Sequence, residues 1–239
     1  MITRKIAARY YLLKKRQDSI VNKYNSPWWR KYQVKDLPEG QVGDYRIEKF
    51  IVSEKESDLT KLRSLQHPRK YVPPGTYTRL VHKDMIWMSD TPREIEDLWK
   101  LNMAMAKRGG PVLLNGLGLG VALKMAILSR AKKIIVVEIS PEVIELVGKY
   151  WRKQAIKHQK DLLIMEQDAL QVKFSTETRF TVVWNDIWPT ICGDDQPQMV
   201  KLHAKFGLKA DWIGSWCELE RIAAAGKRPG GFYATKEPI

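Results

Sequence analysis

Three kinds of residue in this chain stand where they could handle a ligand together. The segment Pro111 to Gly120, PVLLNGLGLG, carries Gly116-x-Gly118-x-Gly120 directly after Asn115. Glycines so placed let backbone pass close to a ligand and accept positive φ. A helix start just beyond them offers unpaired N–H groups and a partial positive charge. Glu138, followed by Ile139, lies about 20 residues past the glycines, where a carboxylate can accept both hydroxyls of a ribose. Asp168, followed by Ala169, can accept from an adenine amino group. Asn185-Asp186-Ile187-Trp188-Pro189 adds the groups that catalysis by positioning needs. An oxygen of Asn185 or Asp186 and the ring face of Trp188 suit a planar amine, with Asp186 orienting it or taking its proton.

Each position also has a purely structural reading. The glycines can make a tight strand-to-helix turn, Glu138 can be a helix-start acid favoured by the dipole, Asp168 can cap a loop, and Trp184 and Trp188 can simply pack. Their coincidence at successive strand ends favours an adenosine-type ligand.

Elements able to position these groups follow from hydrophobic patterning. Val112–Leu114 reads as a strand and Val121 to Arg130 as the helix after the glycines. Lys133 to Glu138, KIIVVE, is nearly all apolar, as expected of a strand covered on both faces. Ser140-Pro141-Glu142 caps a helix to about His158. Leu162 to Met165 is a third strand and Phe180 to Trp184 a fourth. The alternation implies a parallel α/β sheet with right-handed crossovers, whose ligands bind beyond the carboxyl ends of the strands. After Pro189, Asp195 to Phe206 reads as a helix ended by Gly207. Ala210 to Ala225 reads as another, with Trp212, Trp216, Leu219 and Ile222 or Ala223 on one face. Lys227 to Gly231 reads as a loose tail, and His203 and Cys192 as packing residues.

Ahead of the glycine strand the chain reads differently. Met1 to about Tyr24 has the spacing of a basic helix, stopped by Asn25-Ser26-Pro27. Trp28-Trp29-Arg30-Lys31-Tyr32 mixes rings and cations, which suits nucleic-acid contact as well as a packing plug. Asp44 to Ser53, Thr76 to Val81 and Met85 to Met88 alternate as strands, with Pro73-Pro74-Gly75 and His82-Lys83-Asp84 as turns. Residues 54 to 70 form a short helix or a loop. A helix capped at Ser89-Asp90-Thr91 runs from about Pro92 to Lys107. The expected layout is a basic helix and small β-rich module over 1–108, then a Rossmann-like domain with a helical C-terminal part over 109–239.

With 239 residues the chain can bury a proper core. Its formal net charge of +14 points to an anionic partner, nucleic acid or an acidic surface. Cys192 and Cys217 are the two cysteines, in no pattern with zinc spacing, and no metal is expected. That usage fits the reducing cytoplasm. No apolar run approaches the roughly 20 residues of a membrane span, so no membrane partner is expected. A homo-oligomer is compatible with the sequence.

The pieces NGLGLG, VVEIS, EQDA and VVWNDIWP together resemble the class I S-adenosylmethionine-dependent methyltransferase superfamily, over about Pro111 to Pro189. In layout, with Leu114 two residues before the first glycine, a β-rich front and a short third-to-fourth strand connection, the chain looks like the spermidine-synthase-like branch. It departs from those enzymes at Leu119 in the loop and at Asn185-Asp186-Ile187, where they carry the acids that dock a polyamine. The resemblance implies S-adenosylmethionine as cofactor, held by Asn115, Gly116, Gly118, Gly120, Glu138, Ile139, Asp168 and Ala169, with Asp186, Asn185 and Trp188 at the reacting centre. It implies methyl transfer to an acceptor that the sequence does not name. Aminopropyl transfer, or nucleic-acid binding on a non-catalytic scaffold, are the alternatives. It also implies further strands after the fourth, which the pattern beyond Pro189 does not display, so a truncated sheet is expected.

Overall fold

A computed structural model of the chain describes residues 27–64, 71–191 and 193–224. The expected basic helix at Met1–Tyr24, the tail from Lys227 and Cys192 lie outside the described residues.

The front of the described chain is a four-stranded antiparallel meander: β1 (Gly40–Val42), β2 (Tyr45–Val52), β3 (Gly75–His82) and β4 (Met85–Ser89). Strand β1 was not anticipated, because three residues are too short to show alternation. Its signal is the Gly43-Asp44 pair, a two-residue hairpin loop with Gly43 at φ +54°. A helix, α1 (Glu54–Ser64), fills the first part of the 54–70 stretch. The expected helix over Pro92–Lys107 is two, α2 (Pro92–Asp97) and α3 (Trp99–Lys107), with Leu98 between them. The start of α2 is held differently from expectation. N-cap Thr91 makes no side-chain cap bond, and Glu94 instead reaches back to the Ser89 N–H at 2.7 Å and the Ser89 hydroxyl at 2.8 Å.

The second sheet has five parallel strands: β5 (Val112–Asn115), β6 (Lys133–Glu138), β7 (Asp161–Glu166), β8 (Val182–Asn185) and β9 (Ile213–Ser215), in spatial order β7-β6-β5-β8-β9. Period two divides each strand between two cores. Val112, Leu114, Ile134, Val136, Val182 and Trp184 face one. Leu113, Ile135, Val137 and Val183 face the other. That is why the strands read as unbroken apolar runs. Helices α4 (Val121–Ile127), α5 (Pro141–Lys157) and α6 (Gln196–Gly207) make the connections after β5, β6 and β8, and α7 (Glu218–Ala224) follows β9. Ser140 caps α5 as expected, accepting from the Val143 N–H at 3.2 Å.

Strand β9 corrects the helical reading of Ala210–Ala225. Gly214 occupies its centre, where an added Cβ would stand 2.5 Å from the Trp212 ring and 3.2 Å from that of Trp184. The two indoles stack at 6.2 Å over it. A glycine costs a helix interior about 1 kcal/mol, and here it lets two large rings cross a strand. The sheet is therefore fuller than the truncated one expected, although no antiparallel strand joins it among the described residues.

The front meander packs on the α4–α5 face of the parallel sheet, and one hydrophobic core runs from Tyr77 and Leu80 to Val112 and Ile134. The Trp28–Tyr32 segment is a 3-10 turn (Pro27–Tyr32). Trp29 and Tyr32, each 4% exposed, are part of that core, and Trp28 packs edge-on to Trp99. No helix of the described residues is long and apolar enough to cross a membrane.

Candidate functional site

The chain enters the parallel sheet at β5 in its middle, builds β6 and β7 to one side, then crosses back to β8 and β9 on the other. This reversal leaves a crevice at the strand tips beside β5. One backbone hydrogen bond joins each neighbouring pair of tips: Gln167 to Glu138, Gly116 to Val137, Asp186 to Asn115 and Trp216 to Asn185, all within 2.8–2.9 Å. Above this rim opens a cavity of about 420 Å³. Its lining includes Gly116, Gly118, Glu138, Asp168, Asp186 and Trp188, together with Ile139 and Ala169.

The glycines make room chiefly for the protein itself. At Gly116, with φ +101°, an added Cβ would stand 2.0 Å from the Asp186 carbonyl oxygen. At Gly118, with φ +49°, it would stand 2.2 Å from the Met88 sulfur. Both positions combine a left-handed backbone with a close approach, which only glycine meets without strain. Gly120 caps α4 beneath the Trp151 indole, whose N–H donates to the Leu119 carbonyl at 3.0 Å. It does not line the cavity.

Glu138 is 9% exposed and ties the rim together. One carboxylate oxygen accepts the Leu117 N–H at 2.8 Å, and the other accepts those of Ile139 at 2.9 Å and Ser140 at 3.0 Å. The side chain thus fastens the glycine loop to the tip of β6 while facing the cavity. Asp168 accepts the Leu170 N–H at 2.8 Å, closing its own loop at the β7 tip.

Two of the expected contact residues lie below the rim instead. Asn115 and Asn185 are fully buried and are not part of the cavity lining. The Asn115 amide donates to the Asn185 oxygen at 2.7 Å, and the Asn185 amide donates to the Gly214 carbonyl and the Ser215 hydroxyl, each at 3.3 Å. His203 meets the same hydroxyl at 2.8 Å, and burial pushes its imidazole down to about 4. These amides link the tips of β5, β8 and β9, and the buried Asn115 Oδ1 accepts no hydrogen bond among the described residues. Asn185, the last residue of β8, carries its side chain into this network, and the next residue, Asp186, lines the cavity.

The Asp186 carboxyl is pushed up to about 7, chiefly by burial. Arg221 pulls it down, while Glu94 and Asp97 push it further up. The Trp184 indole N–H stands close enough to lower it, without closing a hydrogen bond of ordinary geometry. A carboxyl that titrates near neutrality can exchange a proton with a bound acceptor at physiological pH.

Sequence reasoning missed the frame around Asp186. Arg221 of α7 is fully buried, with its guanidinium 4.4 Å above the Trp188 ring and 5.2 Å from that of Trp216. It donates to Asp195 at 2.6 Å, to the Thr190 carbonyl at 2.8 Å and to the Trp216 carbonyl at 3.2 Å. Trp188 in turn donates to Gln198 at 3.0 Å. Both indoles line the cavity beside Asp186. The front meander was also not expected at the site, yet its Tyr45, Trp87, Met88 and Ser89, with Glu94 of α2, complete the lining. No spacing rule links these residues to the glycine loop. Glu94, placed three residues past the N-cap of α2, had a recognisable signal only as a helix-start acid.

No family model matches this sequence, and no curated protein matches it. Solved structures do. The N-methyltransferase NodS from Bradyrhizobium japonicum WM9 is 17% identical over 48% of this chain and 60% of its own, with a TM-score of 0.37. NodS in complex with S-adenosyl-L-homocysteine matches with the same identity and score. An S-adenosylmethionine-dependent methyltransferase from Clostridium acetobutylicum ATCC 824 is 16% identical over 48% of this chain and 43% of its own, with a TM-score of 0.35. This chain spans less than two thirds of each of them. The structures named here are methyltransferases, and the fold itself rests on the strand order: a mixed α/β molecule with a parallel five-stranded, Rossmann-like sheet.

Proposed function

We propose that this chain is an S-adenosylmethionine-dependent methyltransferase. The observation that carries the reading is the convergence of Gly116 and Gly118, Glu138, Asp168 and Asp186, from the tips of four strands, on one cavity of about 420 Å³. The donor set fits such a cofactor. Glu138, with three of about four acceptor sites taken by backbone amides, keeps one for a ribose hydroxyl; Asp168 keeps an oxygen for the adenine amino group, and the rings of Trp87, Trp188 and Trp216 suit a sulfonium cation. Gly116, Gly118, Glu138, Ile139, Asp168 and Ala169 would hold it. Asn115 and Gly120 would support the loop from beneath. When bound, the cofactor supplies an electrophilic methyl group.

The rest is done by the chain's own side chains. Trp188 and Trp216, locked by Arg221, offer faces for a planar acceptor. Asp186 accepts a hydrogen bond from the acceptor's amino group and takes its proton. Placement supplies most of the acceleration, since effective molarities of well-oriented groups are very large. The acceptor we favour is an amino group on a planar ring, as a nucleic-acid base carries. The net charge of +14 supports an anionic partner, and exposed Arg30 and Lys31 stand on the front turn.

Calorimetric titration with S-adenosylmethionine and S-adenosylhomocysteine tests the reading. Micromolar binding is expected, weakened at least tenfold, or about 1.4 kcal/mol, by Glu138→Ala. Wild-type protein that binds neither compound at millimolar concentration would end the proposal.

A further inference from the structure

The antiparallel meander contributes to the cavity through a local irregularity. Leu80 of β3 pairs with Met88 of β4 and Val81 pairs with Ile86, so Trp87 is an extra residue without a partner. Such a bulge breaks the alternation of side chains and re-aims them. Trp87, Met88 and Ser89, three consecutive residues, all line the cavity, where a regular strand would turn the middle one away. The Trp87 ring is braced by His82 at 4.9 Å and by Tyr45 at 5.7 Å. Met88 goes further. Its sulfur accepts the Leu119 N–H of the glycine loop at 3.2 Å and fills the space in front of Gly118.

A thioether is a weak acceptor on a flexible side chain. Every other amide of this loop with an identified acceptor has an oxygen: Gly116 has the Val137 carbonyl, Leu117 has Glu138 and Gly120 has the Leu117 carbonyl. Leu119 alone among these is held by sulfur. An oxygen acceptor brought into the cavity forms a stronger bond than the thioether it replaces.

We propose that Met88 is a displaceable stopper on the glycine loop: it holds the Leu119 amide, yields that amide to a ligand, and so sets the affinity and fit for the ligand's sulfur-bearing arm. This rests on the methyltransferase reading given above. Trp87 is the residue whose bulge makes it possible, since it delivers Met88 to the loop. A merely structural Met88 makes the opposite forecast. Removing its acceptor would then leave the loop amide unpaired, loosen the loop and weaken binding.

The test compares S-adenosylhomocysteine binding to wild type and Met88→Leu by calorimetry, with the Leu119 amide followed by NMR. Leucine keeps the bulk and removes the acceptor. We expect Met88→Leu to bind at least threefold more tightly. The Leu119 amide should already be shifted in the ligand-free variant, and the ligand should change it less there than in wild type. Unchanged or weaker binding by Met88→Leu, with wild type binding normally, would overturn the stopper and leave the proposed function standing. Absence of binding by both proteins would overturn the proposed function, and the stopper with it.

Discussion

The two ends of the cavity are built on different principles. At the β5–β7 end the one buried acid, Glu138, accepts from three neighbouring amides. At the β8–β9 end the wall is a buried guanidinium between two indoles, next to a carboxyl pushed up to about 7. The first end is a satisfied, stiff cradle; the second holds charges that burial keeps under tension. Recognition fits the first and proton handling the second, because perturbed ionisable groups concentrate where chemistry is done.

Removing Arg221 should break this contrast most severely. Arg221→Met would leave Asp195 without this partner and remove the cation lying on Trp188 and Trp216. Arg221 is fully buried but Asp195 is 23% exposed, so the stranded carboxylate is partly solvated, and about 2 kcal/mol should disappear from the urea-denaturation free energy. A loss under about 1 kcal/mol would mean that the indoles hold themselves. At the other end, Glu138→Ala should weaken adenosyl-ligand binding at least tenfold. Glu138→Gln, which keeps one acceptor oxygen, should recover part of the loss, an outcome that separates loop anchoring from bulk.

The pH dependence sharpens the comparison. The Asp186 carboxyl is raised from 3.8 to about 7, so its contribution to stability is complete below pH 4 and is lost as pH rises through 7. Asp186→Asn should therefore gain Tm over wild type at pH 8 and not at pH 4. Equal Tm differences at both values would refute burial of this charge. His203 titrates with the opposite sign. Lowered from 6.5 to about 4, it contributes stability that is full above pH 6.5 and fades as pH falls through 4. Replacing it with Gln should flatten the acid limb of the Tm curve. The smallest effect belongs to Thr91→Ala. With no cap bond from its side chain, the loss should stay below about 0.5 kcal/mol, less than the typical ~1 kcal/mol for a working N-cap.

Legibility in the sequence followed the same division. The strands β5, β6, β7 and β8 and the acids at their tips could be read because each is a local pattern: an apolar run, then a turn, then an acid. Strand β9 could not, since three residues around Gly214 carry no period and Trp212 and Trp216 imitate a helix face. Asn115 and Asn185 looked like ligand groups by their place at strand tips. Which of two adjacent residues reaches the cavity depends on where the strand ends: Asn185 closes β8 inside the core, and Asp186, one residue further, lines the cavity. The pairing of Trp188 with Arg221 spans 33 positions in the chain and two helices, beyond the reach of any spacing rule.

By itself, then, the order of residues determined the parallel α/β layout and the positions of Gly116, Gly118, Glu138, Asp168 and Asp186 at its strand ends, because backbone periodicity and turn chemistry act over a few residues. Tertiary structure alone decided what surrounds them: the front meander as a wall, Met88 on the Leu119 amide, and Arg221 between two rings. Those contacts depend on where distant segments pack, and packing is settled by the whole core rather than by any stretch of it.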